Sequence, residues 1–180
     1  MLTDSFLQEE TLDFGTGAFP LLHDFNDDGL QDLFIGNYGY CDSCFYVNGV
    51  LNCDFSAKIA LLQNVGSNKN PIFKLVDDDF ANISDFNLRS VVPAFFDFDN
   101  DGDYDLFCGC EDGKIYLFEN RSNVFVLIDS DWLNLSSYDL ENIAPCFYDV
   151  DNDGFVDLII GNHTGKLSYF KNDNGNFVFV

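Results

Sequence analysis

The 180-residue chain is 47% apolar and carries a formal charge of -23 at pH 7. That apolar share can fill a core and excludes a disordered chain, while the charge argues against nucleic acid or an anionic membrane as partner. No apolar run approaches the roughly 18 residues that span a bilayer, and the opening MLTDSFLQEE lacks the basic and apolar regions of an export signal.

Phenylalanine and tyrosine are over-used, with 21 and 8 copies, and apolar residues gather in short runs bounded by Gly, Asn and Asp. That texture predicts an all-β protein. In chain order, Asp4 to Gly15 is expected to supply an outer strand. Three stretches then align without a gap: PLLHDFNDDGLQDLFIGN from Pro20, PAFFDFDNDGDYDLFCGC from Pro93 and PCFYDVDNDGFVDLIIGN from Pro145. The likeness continues through Lys58–Asn64, Gly113–Asn120 and Gly165–Asn172, and then into apolar runs beginning at Pro71, Val124 and Phe177. Each unit therefore reads as strand, acidic loop, strand, hairpin, strand, hairpin, strand. Proline opens each first strand, where a missing N–H does least harm to a ladder.

Four short strands per unit predict the blade of a β-propeller, whose blades bury their faces against neighbours. The chain is expected to form one repeat region over 1–180. It comprises a blade at 16–75 with an inserted hairpin at 39–57, a second at 90–128 and a third at 143–180.

Each acidic loop places side-chain oxygens at positions one, three, five and nine, with glycine at six. The sets are Asp24, Asn26, Asp28 and Asp32; Asp97, Asp99, Asp101 and Asp105; and Asp149, Asp151, Asp153 and Asp157. Ca²⁺ takes about six to eight oxygen ligands, and alternate side chains plus one backbone carbonyl can wrap it. The carbonyl falls to position seven, at Leu30, Asp103 or Phe155, where the side chain is free to vary. Three Ca²⁺ ions are expected. Mg²⁺ suits such loops less, because it prefers rigid octahedral sites and keeps its waters. An EF-hand is rejected: position twelve is Ile35, Cys108 or Ile160 inside strand-like runs, where that motif needs an acidic residue and flanking helices.

The Asp-x-Asp-x-Asp-Gly-x-x-Asp loop set between two strands resembles the FG-GAP/VCBS repeat family, as in integrin α-subunit propellers and many bacterial surface proteins. The resemblance covers nearly the whole chain. It implies calcium-stabilised blades of an extracellular or cell-surface protein, with a role in adhesion or ligand recognition. The first loop departs from the family pattern at Asn26. Three units are fewer than the four to eight or so blades that close a propeller, so further blades of a longer chain are expected as partners.

The insertion places Asn48-Gly49 between β-prone runs, the strongest two-residue hairpin signal. Counting outward from it sets Cys44 opposite Cys53, within disulfide reach, and a Cys44–Cys53 bridge is predicted. Cys41 and Cys44 form a Cys-x-x-Cys, but three thiolates and no nearby histidine fall short of a zinc site. Cys108 and Cys146 align with Ile160 and Ala94 and are expected to be buried, while Cys110 is expected free at a strand end. The bridge and the calcium both suit an oxidising, extracellular compartment.

No nucleophile elbow, zincin motif or phosphate loop is present, and the paired aspartates are committed to metal, so no enzyme activity is expected. His23 reads as structural and His163 as a solvated turn residue. With calcium on one end of each blade, recognition of a protein or carbohydrate falls to the other. Tyr38, Tyr40, Phe45 and Tyr46 of the insertion lie there, with Glu111, Asp112, Asn162 and His163. The alternative role is a non-catalytic accessory propeller of a carbohydrate-active enzyme.

Overall fold

Thirteen strands and two short 3-10 segments make up the computed structural model of the protein, which describes residues 12–180. Strands β1 (Thr16–His23), β2 (Asp32–Val47), β3 (Val50–Ser56), β4 (Ile59–Asn64) and β5 (Phe73–Asp77) form the first sheet. Its order is β1-β2-β4-β5, with β3 paired to the far half of β2. A second sheet runs β6 (Val92–Phe96), β7 (Asp105–Gly109), β8 (Ile115–Asn120), β9 (Phe125–Asp129), in that order. The third runs β10 (Ala144–Tyr148), β11 (Asp157–Gly161), β12 (Leu167–Asp173), β13 (Asn176–Phe179).

Every strand pairing is antiparallel, so the all-β, four-stranded blade expected from the repeat is what forms. Pro20, Pro93 and Pro145 lie on the edge strands β1, β6 and β10, where a sheet tolerates a missing donor. None of the three opens its strand: Pro93 and Pro145 follow Val92 and Ala144, and β1 begins at Thr16 because the longer β2 offers Asn37 and Gly39 as additional partners. The outer strand expected over Asp4 to Gly15 lies largely outside the described residues. Its described end, from Leu12, forms no strand, although Leu12 and Phe14 pack on the first core.

The described residues divide between Val91 and Val92 into two compact units. In the first, Leu33, Ile35, Ala60, Leu62 and Phe73 form a buried cluster on one face of the sheet. Phe34, fully buried, meets Phe80 edge-on at 5.0 Å and Phe25 at 5.9 Å. In the second unit, β6 packs against β10, and the two sheets enclose Ala94, Phe107, Leu117, Trp132, Leu158 and Ile160.

The links that follow β5 and β9 are structured as well. Each is a 3-10 segment, Phe80–Phe86 or Trp132–Tyr138, broken by left-handed residues at Ala81 and Asn82 or at Leu133 and Asn134. Asp79 accepts hydrogen bonds from the N–H and hydroxyl of Ser84, and Asp131 does the same for Ser136. The fold thereby drops Phe80 and Ile83, or Trp132 and Leu135, into the core. The signal was present as a second repeat, Asp-aromatic-x-Asn-aliphatic-Ser, at Asp79 and Asp131.

Cys108 is buried as expected, and Cys110 is free but also buried. Cys146 corrects the expectation: it is exposed. Its counterpart Ala94 sits on the face of the second sheet that the third sheet covers, whereas Cys146 points from the opposite face of the third sheet, away from that cluster.

Among the glycines, the one at the β7–β8 turn shows a fold-level requirement most sharply. Gly113 has φ +77°, and a Cβ there would stand 1.8 Å from the Leu140 carbonyl oxygen. Gly113→Ala is expected to destabilise the second unit by more than about 1 kcal/mol, from strain and clash together, as read by denaturant unfolding.

Candidate metal centre

The three acidic loops join β1 to β2, β6 to β7 and β10 to β11. Each is wound by its own carboxylates. In the first, Asp24 accepts from the N–H groups of Asp28 (3.2 Å) and Gly29 (2.9 Å). In the second, Asp97 accepts from Gly102 N–H at 3.2 Å and Asp99 from Asp101 N–H at 3.2 Å. In the third, Asp149 accepts from Asp153 (3.2 Å) and Gly154 (3.0 Å). Gly29, Gly102 and Gly154 hold φ of +83°, +97° and +92°, the left-handed turn that brings position nine back.

Position nine ties the loop to the sheet. Asp32, Asp105 and Asp157 are buried, and one oxygen of each accepts the N–H of Asn64, Asn120 or Asn172 at 2.8 Å. The other oxygen of Asp105 and of Asp157 accepts from Phe98 (2.9 Å) and Val150 (3.1 Å) at loop position two. Burial pushes the Asp32 and Asp105 carboxyls above the usual range against these bonds. For Asp157 burial acts in the same direction, but donors from Asn172, Val150 and the Tyr169 hydroxyl outweigh it and hold the carboxyl low. The Asn at the end of each third strand was aligned in the sequence without a role. Its amide side chain closes the following hairpin, accepting from Gly66, Asn123 or Gly175.

Position seven is anchored through its N–H: Leu30, Asp103 and Phe155 donate to Asp28, Asp101 and Asp153 at 2.8, 2.9 and 3.0 Å. Carboxylate oxygens converge in threes in two of the loops. Asp97, Asp99 and Asp101 each offer one within 4.8 Å of the others, as do Asp149, Asp151 and Asp157. One oxygen of Asp97 is buried and accepts no hydrogen bond, an orphan of a kind that costs free energy unless something binds it.

The loops are not equivalent. In the first, the Asn26 amide donates to Asp28 at 3.0 Å, so two carboxylates and an amide stand where the second loop has three carboxylates. In the third, the Lys171 ammonium lies against Asp151 and 3.0 Å from Asp153. Those two carboxylates raise the Lys171 pKa, and the Phe155 N–H followed by Lys171 lowers that of Asp153.

The expected recognition residues divide between the units. Tyr46 is 74% exposed near the hairpin tip, whereas the Tyr38 ring packs on Phe55 at 5.5 Å and the Tyr40 hydroxyl donates to the Asp13 carbonyl at 3.0 Å. In the second unit, Glu111 and Asp112 lie on the β7–β8 loop, and Asn162 and His163 on the β11–β12 loop. The chain between the sheets crosses both: Asn142 N–H donates to the Glu111 carbonyl at 3.0 Å and His163 N–H to that of Glu141 at 3.2 Å. His23 packs on Phe34 at 6.4 Å, and burial lowers its pKa. The predicted Cys44–Cys53 disulfide is present.

Four-stranded antiparallel blades, each with an aspartate-rich loop between its first two strands, define the class of repeat. Residues 97–160, from the first aspartate of the second loop through β11, match the family model described as the FG-GAP-like repeat, and the chain carries that repeat there. No curated protein and no solved structure gave a significant match. No helix among the described residues is long and apolar enough to cross a membrane.

Proposed function

We propose that the three loops bind Ca²⁺ and that the ion serves as a structural clamp. The observation that carries this reading is the buried, unpartnered oxygen of Asp97 beside Asp99 and Asp101. An all-oxygen, multiply anionic set suits a hard cation, and Ca²⁺ tolerates irregular coordination better than Mg²⁺. Asp97, Asp99, Asp101 and Asp105, with the Asp103 carbonyl, would hold the second ion. Asp24, Asn26, Asp28, Asp32 and Leu30 would hold the first, and Asp149, Asp151, Asp153, Asp157 and Phe155 the third. Bound calcium supplies charge neutralisation that lets the carboxylates stay clustered. The chain's own part is to wind the loop and, through position nine, fasten it to the third strand. Calorimetric titration of chelator-treated protein with CaCl₂ tests this: binding that weakens in Asp97→Ala supports it, and absence of heat with no shift in melting removes it.

Lys171 distinguishes the third loop, because its ammonium competes with an incoming cation for Asp151 and Asp153. Lys171→Gln is expected to tighten calcium at that loop several-fold and to leave the others unchanged. Site-resolved titration by NMR of the Gly154 amide against that of Gly102 checks it.

We read the module as non-catalytic and as one stretch of a larger array of blades. On the second sheet, Ala94, Phe107, Ile115 and Leu117 are buried beneath the third sheet. The same positions on the third sheet are Cys146, Ile159, Leu167 and Tyr169, and Leu167 is 77% exposed. An apolar face repeated in kind but exposed at Leu167 and Cys146 fits a further blade. The disulfide and the calcium loops support a secreted or cell-surface setting. We assign adhesion or ligand recognition to the hairpin, where the cross-strand partners Tyr46 and Leu51 are 74% and 53% exposed on one face, an apolar pair suited to a protein surface.

A further inference from the structure

We propose that Cys41, Cys44 and Cys53 form a thiol–disulfide exchange relay, so that the inserted hairpin alternates between a bridge across its two strands and a bridge within one of them. Cys41 is a free, exposed thiol whose sulfur lies 3.3 Å from the Cys44 sulfur, itself joined to Cys53. This contact is not an accident of spacing. Residues three apart on a regular strand point to opposite faces, and Cys41 and Cys44 would face apart.

A bulge intervenes. Cys41 pairs with Phe55, Ser43 with Asp54 and Cys44 with Cys53, leaving Asp42 as the additional residue. Phe55 and Cys53 are two apart on β3 and share a face, so the bulge turns Cys41 onto the face that carries the disulfide. Bulges re-aim side chains in this way, and here the side chain re-aimed is a nucleophile set against a disulfide sulfur.

The step balances without an external oxidant or reductant. The Cys41 thiolate attacks the Cys44 sulfur, the Cys44–Cys53 bond breaks as Cys41–Cys44 forms, and Cys53 leaves as thiolate and takes up the proton that Cys41 lost. One thiol and one disulfide stand on each side. The consequence is mechanical. Among the described residues strand β3 pairs only with β2, and a two-stranded ribbon is marginal by itself. The Cys44–Cys53 bridge fastens the ribbon, whereas a Cys41–Cys44 bridge lies within β2 and leaves β3 held by hydrogen bonds alone. A zinc centre is the other use of three sulfurs, but such sites take four ligands and two of these sulfurs are already bonded.

Folded protein purified without reductant is held at neutral pH with excess iodoacetamide, quenched in acid to stop exchange, and mapped by mass spectrometry of non-reduced peptides. The relay predicts label divided between Cys41 and Cys53, with the complementary bridges Cys44–Cys53 and Cys41–Cys44. Cys41→Ser is expected to abolish label on Cys53, and Cys53→Ser, oxidised by dissolved oxygen, to yield the Cys41–Cys44 bridge, with circular dichroism confirming the fold of both. Label confined to Cys41 after prolonged incubation, or zinc released by chelator with all three thiols then titrating, overturns the proposal.

Discussion

Chelation is expected to lower the melting temperature of the protein by about 5–10 °C for each loop that loses its ion. A ligand bound only by the native state adds about 2.7 kcal/mol at a hundredfold excess over its Kd. A chain of this size moves by about 2–4 °C per kcal/mol. The second loop is expected to respond most, since it gathers three carboxylates and leaves an Asp97 oxygen buried without a donor. Asp99→Ala separates the ion from the scaffold. Its own donor is Asp101 N–H at 3.2 Å, an exposed loop contact, so the variant without calcium is expected to melt close to the wild type without calcium. In saturating calcium it is expected to recover only the share due to the other loops. Melting curves of both proteins, with CaCl₂ and with chelator, check this. Equal midpoints in all four conditions would remove the clamp.

Trp132→Ala is expected to cost the second unit about 3–5 kcal/mol, the range for truncating a buried aromatic. Trp132 is 5% exposed and packs with Phe107 at 4.8 Å, Phe177 at 5.1 Å and Phe98 at 6.0 Å. Its ring therefore joins the core of the second sheet to β13 of the third and, through Phe98, to the second acidic loop. Truncation opens a cavity that the backbone cannot close, because Asp131 pins the segment through Ser136 and left-handed residues fix its path. Trp132→Phe is expected to lose far less, since Phe80 fills the corresponding place in the first unit. Urea unfolding followed by far-UV circular dichroism measures both, a probe that does not depend on the indole. Loss of calcium affinity at the second loop in Trp132→Ala, with the first unaffected, would follow from Phe98 losing its support.

The third loop shows how one substitution on a neighbouring strand changes a site that reads as standard along the chain. Lys171 is far from Asp151 in sequence, and only the β11–β12 pairing brings its ammonium to the loop. The counterpart in the second unit is Glu119, which instead pairs with Arg121 at 2.8 Å. Inspection of the acidic loop alone predicts equal sites, and the structure makes them unequal.

Sequence by itself determined the repeat, the strand order of each four-stranded blade, the place of the acidic loops between the first two strands and the Cys44–Cys53 bridge. These are local properties: strand and turn chemistry act over a few residues, and a hairpin's register follows from counting outward from Asn48-Gly49. What only tertiary structure decided depends on which faces meet. The position shared by Ala94 and Cys146 is buried in the second sheet, where the third sheet covers it, and exposed in the third. Asp105 and Asn120 meet through strand pairing rather than spacing. The bulge at Asp42 changes the face of Cys41, since one additional residue reverses the alternation of a strand. The acidic loops are thus written in the chain, but their inequality, and the thiol set against the disulfide, are products of the fold.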